Sequence, residues 1–146
     1  MKFKNLNLNV KLLFALTVYM SYRLIGGALN LFWIISENER AASGDWMVAF
    51  GGDTVIGLLA MILGYKLIKN PSSILWSFIL CWNAIGAFDI VGALSGTVFS
   101  PFAPFPELGI GYCEFQIVLA SNLIIHTISF YLLFRKDVKA YLGTSF

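Results

Sequence analysis

Arg23, Asp53, Asp89, Glu114 and His126 are ionisable residues set in otherwise apolar stretches of a 146-residue chain. A guanidinium is always charged and presents a planar fork of N–H donors that matches a carboxylate. A carboxylate or imidazole beside it can hold a proton or orient a polar ligand. Residues three and four apart share one side of an α-helix, so spacing sorts these groups onto faces. Tyr19, Arg23, Gly27 and Asn30 make one stripe, and Asp53, Gly57, Ala60 and Gly64 a second. Trp82, Gly86, Asp89, Ala93 and Gly96 make a third, with Asn83 on the adjoining face beside Ala87. Asn122, His126 and Ser129 make a fourth, with Glu114 and Ser121 nearer the start of that segment.

The economical arrangement turns all four stripes inward, so that Arg23 meets Asp53, Asp89 and Glu114. An unpaired guanidinium in an apolar interior costs several kcal/mol, so a carboxylate partner is expected. One arginine cannot neutralise three carboxylates, and at least one acid is expected to exchange a proton. The candidate ligand- or proton-binding residues are therefore Arg23, Asp53, Asn83, Asp89, Glu114 and His126. The plainer alternative is that these charges only pin the register of a bundle.

His126 is the sole histidine. A bis-histidine haem would need a second imidazole, and a metal site joining His126 to Asp89 or Glu114 lacks any ligand-spacing signature. There is no HExxH, CxxC, phosphate-loop or dinucleotide fingerprint. No catalytic residue, metal or cofactor is assigned. Cys81 and Cys113 are expected at different depths, as unbridged, buried thiols.

The elements that must position these side chains follow from composition. Hydrophobic residues make up 58% of the chain and charged residues 12%, with a mean hydropathy of +0.77. Soluble domains are about a quarter charged, and a chain this short cannot bury so much apolar surface from water. A net charge of +2 argues for no nucleic-acid partner. Four apolar runs, about 12–35, 46–68, 74–99 and 108–134, are each long enough to span a hydrocarbon core about 30 Å thick. The expected fold is a single all-α membrane domain, a four-transmembrane-helix antiparallel bundle with the lipid bilayer as its first partner. Such a domain uses most of the chain and leaves no room within it for a soluble catalytic domain.

The first run follows a basic start, Lys2, Lys4 and Lys11, but it is too long for a signal-peptide core and Arg23 interrupts it. It is read as a retained span. Arg23 lies about 18 Å along the helix from Lys11 at the usual rise, close to mid-depth. The connectors are short: a polar SENERAASGD loop (Ser36–Asp45), a KNPSS turn (Lys69–Ser73) and a proline-rich SPFAPFPE segment (Ser100–Glu107). Basic residues mark the two ends and the second connector, through Lys66, Lys69, Arg135, Lys136 and Lys139. The first connector carries Arg40 against Glu37, Glu39 and Asp45, and the third carries Glu107. This alternation predicts an N-in/C-in protein of the cell membrane with both termini cytoplasmic. Trp33, Trp46 and Phe99 are expected at the outer boundary and Trp76 at the inner one, as belt residues.

The segment Trp82-Asn83-Ala84-Ile85-Gly86-Ala87-Phe88-Asp89 reads W-N-x-x-G-x-x-D. Gly52-Asp53 and Gly57 precede it; a proline-rich loop and His126 follow it. Over roughly residues 45–135 the chain resembles a group of small, uncharacterised bacterial four-helix integral membrane proteins. The resemblance implies an inner-membrane protein with Asp53, Trp82, Asn83, Asp89 and His126 as signature positions, and no mechanism. Here the start of the last helix, GYCEFQIVLASN, lacks the prolines that the group often carries there.

Three functions compete. The first is binding or transport of a small ligand or protons, in a polar cavity lined by the six candidates and open to the outer face. The second is a structural or regulatory subunit with a partner membrane protein or a second copy of itself. The third is a membrane enzyme acting on a lipid or quinone, with His126 and an acid as the proton-transfer pair.

Overall fold

The structure is a computed structural model and describes residues 5–39, 41–42, 44–99, 101 and 111–144. The described chain is all-helical: α1 (Leu8–Tyr19), α2 (Tyr22–Ile35), α3 (Met47–Lys69), α4 (Ser73–Phe99), α5 (Tyr112–Leu133) and α6 (Lys136–Tyr141). Four apolar helical stretches of 28, 26, 27 and 22 residues, the first made by α1 and α2 together, are long enough to cross a membrane. The proline-rich segment from 102 onward, residues 108–110 of the expected fourth helix, Lys2, Lys4, Arg40 and Glu107 lie outside the described residues.

Local signals explain most boundaries. The Asn7 carboxamide accepts the Asn9 N–H at 2.9 Å, so α1 starts at Leu8, four residues before the expected start. Pro71 follows the end of α3, and the Ser72 hydroxyl accepts the Leu75 N–H at 3.1 Å to cap α4. Arg135 is extended and ends α5. The chain then turns back as α6, an element that the apolar pattern does not announce.

The first span is not one regular helix. Between α1 and α2 the amides of Ser21, Arg23 and Leu24 bond carbonyls three residues back, those of Val18, Met20 and Ser21. In such a tight turn, residues three apart eclipse one another. Val10, Leu13, Thr17 and Met20 are buried below the turn, and Arg23, Gly27 and Asn30 above it. The tightening stacks Arg23 over Met20 and moves Tyr19, expected on the inner stripe, to the outside at 56% exposure.

Contact pairs give the topology. Gly27 faces Asp53 and Gly57 faces Leu24, Trp82 bonds Ile56, Trp76 bonds Leu133, and Tyr22 bonds Asn122. With Gly52 against Asp89, Asn83 bonded to His126 and Asn9 bonded to Asp137, each interface has a second pair in which one number rises as the other falls, so neighbouring spans run antiparallel. Asn9 donates to Asp137 at 2.8 Å, and Tyr141 donates to the Leu67 carbonyl at 2.8 Å. Both chain ends and the α3–α4 turn therefore share one end of the bundle.

Two apolar clusters fill the interior. The larger, at the terminal end, includes Val10, Met20, Ile56, Leu67, Ile79, Trp82, Leu133 and Leu142. The smaller, at the other end, is built from Trp46, Phe50, Ile90, Phe115 and Leu119 with two alanines. Trp46 and Trp76 are core residues and not belt residues, at 3% and 6% exposure. Trp46 stacks with Phe50 and Phe115, and Trp76 donates to the Leu133 carbonyl at 2.9 Å. An indole that meets aromatic rings and a free carbonyl inside the bundle has no need of a wet boundary. Cys81 and Cys113 are exposed and unbridged, which corrects the expectation of burial. Trp82 and Asn83 take the inward positions, so Cys81 must point out.

Tyr141 holds α6 to α3, and burial raises its phenol above the ordinary value of 10.0. A raised value in the folded chain means the folded state keeps the proton longer. Its contribution is fully present below about pH 10 and is lost as pH rises through the folded-state value. Tyr141→Phe is expected to cost about 1 kcal/mol near neutral pH, the worth of one hydrogen bond, and to flatten the alkaline fall in stability. Unfolding midpoints of both proteins between about pH 8 and 11 measure this; parallel curves would remove the role of Tyr141.

Candidate functional site

Arg23 lies between the two apolar clusters at 2% exposure. Its Nε donates to Asp53 Oδ1 at 2.5 Å, and its Nη2 donates to Asp53 Oδ1 and to Asp89 Oδ2. The third donor, Nη1, faces His126 Nε2 at 3.3 Å. One guanidinium on α2 thus ties together α3, α4 and α5.

Glycines make these approaches feasible. A Cβ at Gly27 would stand 2.7 Å from the Phe50 carbonyl oxygen and 2.8 Å from Asp53 Cβ, so Gly27 lets α3 bring Asp53 under Arg23. A Cβ at Gly52 would overlap the Asp89 carboxylate, and one at Gly86 would stand 2.5 Å from His126 Nε2. Small residues on one face let helix backbones and large side chains meet closely.

The tautomer of His126 follows from its neighbours. Asn83 Nδ2 donates to the Ile79 carbonyl at 2.9 Å, which orients the amide and leaves Asn83 Oδ1 toward His126 Nδ1 at 2.9 Å. An oxygen there needs a donor, so Nδ1 carries the hydrogen. Arg23 can only donate, so Nε2 offers its lone pair. The imidazole is neutral and both nitrogens are engaged. Trp82 packs edge-on against it at 5.4 Å while donating to the Ile56 carbonyl at 3.0 Å. Asn83 and His126 are both at 0% exposure, so this side of the cluster is sealed.

Five of the six sequence candidates converge: Arg23, Asp53, Asn83, Asp89 and His126. Glu114 does not join them. It is exposed in the first turn of α5 and accepts the Gly111 N–H at 3.0 Å, satisfying a free helix-end amide. No carboxylate is hydrogen-bonded to His126 among the described residues. Formally, one guanidinium, two carboxylates and a neutral imidazole carry one negative charge, or one proton in its place.

The cluster borders a cavity of about 420 Å³ between α2, α3 and α5, within the usual range for small-molecule sites. Its walls differ from expectation: Arg23 and Asp53 line it, but Asn83, Asp89, Glu114 and His126 do not. Most of the lining is apolar, from Ile25, Leu29, Phe50, Phe115, Val118 and Leu119. The remaining polar groups are Tyr22, Asn30 and Asn122. Tyr22 and Asn122 satisfy each other, with contacts of 2.8 and 2.6 Å. Tyr22 lies with Gly26 and Leu29, at spacings of four and three, on the face of α2 beside the Arg23 stripe, a face that carries no ionisable group to single it out in the sequence. Tyr22, Ile25, Leu29 and Val118 in its wall are exposed on the flank of the bundle, so the cavity meets the surface beside α2 and α5. Contacts between the first and last spans are concentrated at α1, and α2 stands apart from α5.

Among the described residues no three His, Cys, Asp or Glu side chains converge as metal ligands. No known protein family, curated protein sequence or solved structure matches the chain.

Proposed function

We propose that this chain is a multi-pass protein of the cell membrane, with both ends cytoplasmic, that binds a small ligand and exchanges a proton at the Arg23–Asp53–Asp89 cluster. The observation that carries the reading is the odd charge of this trio, a buried guanidinium with two partly buried carboxylates, beside a cavity that Arg23 and Asp53 line. Its carboxylates are at 21% and 17% side-chain exposure, whereas the guanidinium is at 1%. The acids are more exposed than the arginine, and Asp53 is the one that also lines the cavity.

Membrane insertion is supported by the outer surface. Large apolar side chains such as Leu8, Ile25, Val48, Phe88 and Phe99 stand 74–87% exposed, and a surface of this kind requires lipid. The orientation rests on charge placement. Lys11, Lys66, Lys69, Arg135, Lys136 and Lys139 gather at the end that holds both termini, while Glu37, Glu39 and Asp45 lie toward the opposite end. Glu39→Cys in a cysteine-free background is expected to react with an impermeant maleimide added outside intact cells; reaction only after permeabilisation would reverse the topology.

Infrared titration of the purified protein in nanodiscs tests the site. A protonated-carboxyl band is expected to change between about pH 5 and 9, and Asp53→Asn or Asp89→Asn should remove that change. A spectrum constant across this range in the wild type would rule out proton exchange. A structural role for one side of the cluster is favoured by the sealed Asn83–His126 pair, which braces the guanidinium from behind. The same pair argues against His126 as half of an enzymatic proton relay, because both ring nitrogens are already committed.

A further inference from the structure

Asn30 is 2% exposed, lines the α2–α5 cavity, and donates through Nδ2 to the Gly26 carbonyl at 2.8 Å. Its Oδ1 is buried and accepts no hydrogen bond from any described residue. A buried amide oxygen without a donor is costly, and in a cavity wall it is suited to a donor brought by a bound molecule. Gly27 lies against Asp53, and Asn30 is three residues further along α2. At the helical rise Asn30 and the level at which α2 meets Asp53 are about 4.5 Å apart along the axis, and both residues line the cavity.

The lining selects the visitor. An anionic head is disfavoured, because three of the Arg23 nitrogens already face Asp53, Asp89 or His126, and the charged trio is formally negative. A single hydroxyl would serve Asn30 and leave that charge unbalanced. An ammonium carries several donors and a positive charge, and so answers both Asn30 Oδ1 and the Asp53 carboxylate. The rest of the wall is hydrocarbon and faces sideways, which suits an apolar body that arrives through the bilayer. We propose that the α2–α5 groove binds a lipid-soluble amine, with its ammonium between Asn30 and Asp53 and its apolar body along Leu29, Phe115 and Val118. This names the ligand class for the site read above and rests on that reading.

Radiolabelled dodecylamine, dodecanol and dodecanoate, each presented to the protein in phosphatidylcholine nanodiscs with empty nanodiscs subtracted, give the test. Dodecylamine is expected to bind saturably at one site, dodecanol at least tenfold more weakly, and dodecanoate not measurably. Asn30→Leu, which keeps the number of side-chain heavy atoms and removes the acceptor, should weaken amine binding at least tenfold. Val118→Trp, which fills the groove without touching the charges, should abolish it. Equal binding of amine and alcohol, amine binding unchanged in both variants, or no binding above empty nanodiscs would overturn the proposal. The infrared titration separates the two levels. A carboxyl band that titrates in a protein that binds no amine removes the ligand class alone; a silent band together with no binding removes the underlying site.

Discussion

Arg23→Met is expected to destabilise the bundle by about 3–5 kcal/mol, the usual cost of removing one partner from a buried ion pair. Methionine matches much of the lost volume, so packing is not the main loss. Without the guanidinium, Asp53 and Asp89 face each other across the same small space, and His126 Nε2 loses its donor. Arg23→Lys should recover only part of the loss, because an ammonium has no planar fork to reach α3, α4 and α5 at once. Adding Asp53→Asn and Asp89→Asn to Arg23→Met removes the stranded charge and should restore most of the stability. Reversible unfolding in mixed micelles of lipid-like detergent and dodecyl sulfate measures all four proteins. If Arg23→Met unfolds at the wild-type midpoint, the trio does not hold the helices together.

Gly57→Leu should be equally disruptive, for a steric reason. A Cβ at Gly57 would run into the backbone nitrogen of Leu24 and come within 2.7 Å of its Cα. Backbone atoms cannot swing aside as a side chain can, so α2 and α3 must separate. In lipid, hydrocarbon gains little by leaving the acyl chains, and close packing itself is what binds helices. Overpacking costs about 1–3 kcal/mol where neighbours can adjust, and here the loss should exceed that range. Gly92→Leu is the matched control, since nothing lies within 4 Å of its Cβ position. The two variants are compared by the same unfolding measurement and by monodispersity in detergent. Equal stability of both would mean that the α2–α3 contact contributes nothing.

What the sequence makes legible is what repeats at helical spacing. The inward stripes Asp53–Gly57–Ala60–Gly64 and Asn122–His126–Ser129 can be read off because their polar or small residues interrupt bulky apolar ones at intervals of three and four, and buried Arg23, Asn83 and His126 follow from the same logic. Four long apolar helices are equally plain from run length. The failures fall where periodicity carries no information. Tyr19 leaves the stripe because three backbone bonds change from a four-residue to a three-residue register, a change invisible in side-chain pattern. Glu114 was grouped with the other acids by its charge, but its place in the first turn gives it a local amide to satisfy. Trp46 and Trp76 resemble boundary residues by position along the chain and become core residues through ring contacts made across the bundle. The side of the cavity depends on which pair of helices stands apart, and no single segment encodes that.

A protein that carries cargo across a barrier must expose its site to each side in turn, and the floor beneath Arg23 bears on how that would be done here. Met20, Ile56 and Trp82 lie directly below the charged trio, within the larger apolar cluster, and the Trp82 indole is fastened to the Ile56 carbonyl. Passage toward the terminal end would have to undo that bolt and part the larger apolar cluster, whereas the flank beside α2 and α5 needs no such rupture. Among the described residues this floor closes the terminal side of the site, so a ligand bound as proposed would leave by the flank between α2 and α5 unless the Trp82 latch lifts.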